Sequence, residues 1–170
     1  MVWIRGINTM ATASSLDNYQ SALLYDEPIG SAATLRRILC QVDFSMENTS
    51  GTWPDMPSVP VVLGLALTTN TTAGVTPPPP AAGPYTDEAS WKVYWRGLIW
   101  RPNYIAPAGT SVFDAQDDID NVINHLLPTT ENNALYAGIE VLDNNGAGST
   151  FFSSWSAIFY YNLLYTPQGS

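Results

Sequence analysis

The segment RRILCQVDFSM, residues 36–46, alternates apolar and polar side chains with a period of two. One face carries Ile38, Cys40, Val42, Phe44 and Met46, and the other carries Gln41, Asp43 and Ser45. Successive side chains of a strand point to opposite faces of a sheet, so this is the pattern of a half-buried strand. The segment predicts a β domain whose core lies on the Val42 side, with the Cys40 thiol packed there as a small apolar group.

Further strands are predicted on the C-terminal side of this segment. VVLGLAL, residues 61–67, is a short apolar run typical of a strand covered on both faces. Leu135–Val141 alternates and leads into Asp143-Asn144-Asn145-Gly146, a tight hairpin turn. The remaining predicted strands are 91–100, a strand followed by an irregular segment within 111–127, and a returning strand within 151–165. With no amphipathic helix longer than about ten residues, the pattern indicates an all-β sandwich or barrel over residues 35–170.

The N-terminal residues predict a different kind of segment. Residues 8–34 are rich in Ser, Ala, Thr and Asn and keep no sustained period of 3.6 or 2. We interpret residues 1–34 as an extended arm outside the sandwich. Fully extended, such an arm could reach across a neighbouring subunit, where Trp3 and Ile4 would enter an apolar pocket.

Four consecutive prolines, Pro77–Pro80, enforce a polyproline II segment that donates no ladder hydrogen bonds. The segment is therefore a loop or a docking arm. Two interpretations remain open: a rigid connection between strands, or a ligand for an aromatic groove.

The charge composition excludes several classes of function. Six basic and fifteen acidic residues give a net charge of -9, which argues against direct binding of duplex DNA or anionic membranes. One Cys and one His exclude a disulfide framework, a zinc finger and a multi-histidine metal site, so no metal or cofactor is expected. The sequence has no run of about 18 apolar residues and no signal-peptide pattern at Met1–Arg5, which predicts a protein made in a cytoplasm.

Catalytic chemistry finds little support in the sequence. His125 is the one candidate imidazole base, and no Gly-x-Ser-x-Gly elbow presents a serine to it. Glu88, Glu140 and Asp143 could form carboxylate pairs for glycoside hydrolysis, as acids in any protein this acidic could. The run Asp114, Asp117, Asp118 and Asp120 is interpreted as a solvated loop or a subunit contact, with a calcium site as the alternative. We expect no catalytic residue.

Residues 91–101 form the basic island of the chain, with Lys92, Arg96 and Arg101 and no acid. Trp100 and other aromatic residues alternate with these cations. Three interpretations are open: a core strand whose basic ends meet acidic neighbours, a surface that stacks carbohydrate, or one that stacks single-stranded nucleic acid. The candidate partner-binding residues are Trp3, Ile4, Arg5, Lys92, Arg96, Trp100 and Arg101.

The order of features resembles a group of small virion proteins of tailed bacteriophages. These proteins often enter the first core strand through Gly-x-x-Thr-(Leu/Val)-x-Arg, and Gly30–Arg37, GSAATLRR, is similar. An apolar strand, a Pro-containing loop with a Trp-bearing strand, an aspartate-led segment and an apolar penultimate strand follow, resembling residues 61–67, 84–95, 114–122 and 135–141. The sequence departs from the group in the aspartate-led segment, where the family often carries Lys and Arg.

The resemblance implies a jelly-roll-like domain that decorates or cements a phage capsid, commonly as a homotrimer. The implied partner is the major capsid protein or another virion protein, and the implied location is the virion, assembled in the bacterial cytoplasm. Low charge, abundant aromatic residues and the predicted arm independently favour a protein that forms interfaces. The alternatives are a carbohydrate- or receptor-binding module of a phage fibre or tail, and an enzyme such as a glycan hydrolase.

Overall fold

The computed structural model describes residues 1–12, 19–27, 33–48, 61–91, 95–99, 111–126, 132–141 and 154–167. They form eight strands and one short helix. In chain order these are β1 (Val2–Thr12), β2 (Tyr19–Glu27), β3 (Ala33–Asn48), β4 (Val61–Asn70), α1 (Glu88–Trp91), β5 (Trp95–Ile99), β6 (Ser111–Leu126), β7 (Asn132–Val141) and β8 (Ser154–Pro167).

The strands pair in a nested antiparallel order, as in one long hairpin that has folded onto itself. The first strand pairs with the last, and the nesting continues inward, so that β1 pairs with β8, β2 with β7, β3 with β6 and β4 with β5, all antiparallel. Two further pairings, β3 with β8 and β4 with β7, join these hairpins into two four-stranded sheets. Sheet I has the order β1-β8-β3-β6 and sheet II the order β2-β7-β4-β5. This is the jelly-roll arrangement of two packed sheets, which confirms the all-β sandwich.

The core lies between the two sheets and follows the alternation read from the sequence. Sheet I contributes Ile38, Val42 and Phe44 of β3, which are at most 1% exposed. Phe44 stacks on Trp155 of β8 with ring centroids 5.8 Å apart. Sheet II contributes Leu63 and Leu65 of β4 and Leu135, Ala137, Ile139 and Val141 of β7. Cys40 is buried on the same inward face, as predicted.

The predicted N-terminal arm is not confirmed. Val2–Thr12 pairs with β8 along its whole length, and Tyr19–Glu27 pairs with β7, so the described part of residues 1–34 supplies one strand to each sheet. The alternation is hidden because the inward face of β1 carries Gly6 and Asn8 beside Ile4 and Met10, while apolar side chains stand on its outer face. Composition pointed to an arm, but backbone pairing with β8 and β7 makes these segments strands.

Three other elements differ in extent from the prediction. Trp91, predicted to open a strand, ends helix α1, and the strand begins at Trp95. Residues 111–126 form one continuous strand without the irregular part that was expected. The last strand begins at Ser154. The predicted turn at Asp143–Gly146 lies outside the described residues.

Candidate interaction surface

The outer face of sheet II is covered by the chain itself. Residues 71–91, which include the proline run and α1, cross this face and are called the strap here. Trp91 is fully buried against the backbone of Gly64 on β4 and of Gly138 on β7. A side chain at either glycine would collide with the strap, so these two positions need the close approach that glycine permits.

Buried and half-buried polar groups of sheet II hold the strap by hydrogen bonds. The hydroxyls of Tyr136 and Tyr19 donate to the carbonyls of Pro77 and Pro80, at 2.7 Å and 2.9 Å. The carboxylate of Glu140, 5% exposed, accepts from the backbone N–H groups of Tyr85 (2.7 Å) and Thr86 (3.1 Å). Burial is the main cause that raises the pKa of both Tyr19 and Tyr136. The polyproline segment is therefore docked on an aromatic surface, and that surface belongs to its own chain.

The outer face of sheet I differs, because no described segment lies over it; we call it the open face. The pairing register of the four strands of sheet I places the outward-facing side chains in rows that run across the strands. One row runs Arg5, Asn162, Leu39 and Asp120, and the next runs Ile7, Tyr160 and Gln41. Trp3, Ile7 and Ile158 are its exposed apolar side chains, with exposed fractions of 45%, 64% and 36%. Exposed apolar groups on an uncovered sheet mark a surface suited to a partner.

A shallow depression of about 680 Å³ lies on the open face. Its lining combines apolar groups with polar side chains, among them the cross-strand neighbours Arg5 and Asn162. The remaining lining residues are Gly6, Ile7, Leu39, Cys40, Gln41, Asp120, Tyr160 and Tyr161. A mixed surface of this kind suits protein contacts, which enrich Arg and aromatic residues.

Asp120, which lines the depression, forms an ion pair with Arg37. Arg37 Nε donates to Asp120 Oδ1 at 2.8 Å, and its Nη2 donates to Oδ2. This bidentate hydrogen bonding is the main cause that lowers the pKa of the Asp120 carboxyl. Both side chains are about half exposed, at 41% and 50%, so solvent screens the pair. The ion pair orients these side chains on the open face more than it stabilises the fold.

The predicted partner-binding residues fall into three groups. Trp3 and Arg5 stand on the open face, as a role in binding requires. Ile4 points inward and packs against the core, because neighbouring residues of a strand face opposite ways, so its assignment to a partner surface is not supported. Arg96 lies in β5, with its side chain outside the described part, and Lys92, Trp100 and Arg101 lie outside it altogether.

Sequence reasoning missed the contribution of β8 to this surface. Ile158, Tyr160, Asn162 and Leu164 alternate with the core residues Ala157, Phe159 and Leu163. The alternation of inward and outward residues is present in the sequence of β8. However, aromatic side chains occupy both faces of this strand. Apolar content alone therefore could not tell its two faces apart.

The described residues hold no other cluster with evident chemistry. Among them, no group of three or more His, Cys, Asp or Glu residues could hold a metal ion. His125 lies in β6, with its side chain outside the described part, and of the aspartate run only Asp120 has a described side chain. Among the described elements, no helix has the length and apolar character needed to cross a membrane.

Comparison with known proteins adds weak likenesses. No family model and no curated protein matches the chain. Over 99% of its length it is similar to a chain in the structure of infectious bursal disease virus, Gt strain, at 13% identity and a TM-score of 0.35. Over 94% it is similar to a CocE/NonD family hydrolase from Staphylococcus aureus, at 8% identity and a TM-score of 0.39.

A third likeness, over 99% of the chain, is to the empty head of turnip yellow mosaic virus, at 10% identity, a TM-score of 0.26 and 83% coverage of that chain. The chain spans about a third of the length of the first two structures, 33% of each. At TM-scores this low, none of these likenesses bears on the function of the chain.

Proposed function

We propose that the chain is a structural virion protein that acts by binding other protein subunits through the open face. The observation that carries the proposal is the difference between the two outer faces. The strap covers part of sheet II at β4 and β7, while sheet I presents Trp3, Ile7 and Ile158 with no described segment over them. An apolar surface kept exposed on a folded domain is typical of a protein-protein interface.

The finer form of the proposal comes from the resemblance of the sequence to tailed-phage virion proteins. In this form the protein decorates or cements a bacteriophage capsid, contacts the major capsid protein and is assembled in the bacterial cytoplasm. The function is binding, and the proposal assigns no catalytic residue. The resemblance implies a homotrimer, whereas pairing through the edge strand β1 would give a two-fold pair.

Co-sedimentation with particles that lack the protein tests the proposal. We expect Trp3→Ser to weaken attachment about ten-fold or more, because a large aromatic side chain at an interface carries much of the binding energy. Leu23→Ser is the matched control, since Leu23 is an exposed apolar residue (39%) of sheet II. Equal attachment of the wild type and both variants would place the interface elsewhere on the molecule. Failure of the folded wild type to attach would reject the function.

A further inference from the structure

The four edge strands of the sandwich differ in how they are protected from pairing with another chain. An edge strand exposes unpaired N–H and C=O groups, and proteins protect such edges with bulges, charges, prolines or short strands. β2 carries a bulge between Leu23 and Tyr25, and Asn8 donates to the Leu23 carbonyl at 2.6 Å. β5 has only five residues, and β6 contains the four aspartates of the acidic run.

β1 is less protected: it contacts β2 where Asn8 donates to the Leu23 carbonyl, but it is long and has no bulge and no proline. Its eleven residues pair with β8 without a register shift, from Val2 opposite Tyr165 to Thr12 opposite Trp155. It contains no proline or lysine, and Arg5 is its single charged residue. Within the described part of the chain, β8 is the one strand that pairs with β1, which is therefore an edge strand of sheet I. Its exposed side chains include Trp3 and Ile7.

The sequence of β1 is also compatible with pairing to a copy of itself. Two identical edges meet antiparallel about a two-fold axis, and the register that overlaps all of Val2–Thr12 places Ile7 opposite Ile7 of the second copy. In that register Arg5 faces Thr9 and Trp3 faces Ala11. No like charges face each other, and the exposed Ile7 side chains become neighbours on one face.

We infer that β1 pairs with β1 of a second copy of this chain and joins the two four-stranded sheets I into one continuous sheet. The backbone edge supplies the hydrogen bonds, and Ile7 at the two-fold axis supplies the apolar contact. This inference deepens the proposed function by naming a second copy as one partner of the β1 side of the open face. It requires a two-fold pair, where the resemblance implies a trimer.

Light scattering coupled to size-exclusion chromatography tests the pairing across micromolar concentrations. We expect a wild-type mass of twice 18.5 kDa. Ile7→Lys sets two lysines against each other at the axis and removes the apolar contact, so the dissociation constant should rise about ten-fold or more. Val75→Lys is the matched control, because it adds the same charge at an exposed apolar residue (44%) of the strap, away from β1 and the open face. It should leave the mass unchanged.

A second variant tests the register without removing an apolar side chain. Thr9→Glu places a carboxylate opposite Arg5 of the second copy at two symmetric positions, so the dissociation constant should fall, and Arg5→Gln in that background should cancel the gain. A monomeric or trimeric wild type, or equal dissociation by Ile7→Lys and Val75→Lys, would overturn the inference. Particle co-sedimentation of a folded monomeric Ile7→Lys variant is read separately, so loss of self-pairing and loss of the proposed function are distinguishable.

Discussion

Glu140 is a carboxylate buried beneath the strap, where its Oε2 accepts two backbone N–H groups. Glu140→Ala would leave both donors without this partner, and hydrogen bonds to a charged group contribute more than neutral ones. We expect the free energy of unfolding to fall by about 3 kcal/mol, measured by urea denaturation. Glu140→Gln keeps an acceptor oxygen and should cost about half as much.

Tyr85→Ala is the control for this prediction. It removes an exposed side chain from the same segment and keeps the backbone N–H that Glu140 accepts. It should change the stability by no more than about 0.5 kcal/mol. An equal loss in Tyr85→Ala and Glu140→Ala would show that the strap is held by side-chain packing instead of the carboxylate.

The pKa of the Asp120 carboxyl reports whether the ion pair with Arg37 on the open face is formed. Hydrogen bonding to Arg37 lowers the pKa of this carboxyl in the folded state, so the ion pair favours folding above the unfolded pKa and this contribution is lost as pH falls through the folded pKa. We expect Arg37→Gln to return the Asp120 pKa toward the ordinary aspartate value, followed by NMR of the carboxyl carbon. Arg36→Gln, which removes the neighbouring charge that bonds Thr166, should leave it lowered.

At the scale of elements, β1 is expected to be required for folding. Deleting residues 1–12 would expose the edge of β8 and remove Met10, 2% exposed, from the core. We expect the truncated chain to lose its cooperative thermal transition, followed by circular dichroism, because a whole strand of a four-stranded sheet is missing. Trp3→Ser, a change at an exposed position, should melt within a few degrees of the wild type. A truncated chain that melts normally would restore the arm interpretation.

The strap should loosen in steps when its hydroxyl contacts are removed. Tyr19→Phe and Tyr136→Phe each delete one hydrogen bond to a proline carbonyl and keep the ring. We expect each to lower the free energy of unfolding by about 1 kcal/mol. Limited proteolysis of residues 71–91 should become faster in the double variant than in either single one. Tyr160→Phe on the open face is the control, and faster cleavage there would show that the strap does not depend on these two bonds.

Elements with a strict alternation could be predicted from the sequence, and those with mixed faces could not. The sequence predicts β3, β4 and β7 because their buried residues alternate, as at Ile38 and Val42, or run together, as in residues 61–66. β1 was missed because Gly6 and Asn8 face inward while Ile7 faces outward. The burial of such a strand is decided by its partner β8, which lies at the other end of the chain and leaves no local signal.

At the scale of the whole molecule, the same limit applies to the candidate surface. The sequence predicts Trp3 and Arg5 as partner-binding residues, but the surface to which they belong depends on which residues of β8 and β3 lie beside them. That arrangement is a product of strand order, which composition and periodicity do not encode. The strap shows the same limit, since its prolines were read correctly as a loop while their docking on Tyr19 and Tyr136 required the fold.

The nested pairing also predicts slow folding. Its outermost contacts join residues as far apart as Val2 and Tyr165, and closing such long loops is entropically costly. We expect refolding from urea, followed by tryptophan fluorescence, to take milliseconds to seconds or longer, in the range of all-β domains. A main phase in microseconds would mean that the transition state forms without the β1–β8 pair.

The strand order β1-β8-β3-β6 means that sheet I cannot be completed until the chain has been almost fully synthesised on the ribosome. β8 is the last of these strands to be synthesised, yet it lies between β1 and β3. Until β8 is synthesised, β1 and β3 each have one edge without its partner strand, and β1 remains so for the longest time because it is made first. Transiently exposed strand edges are where nascent chains aggregate. Chains whose translation stops before codon 154 should therefore stay bound to chaperones, and slow translation should lengthen the chaperone-bound period until β8 emerges and closes the sheet.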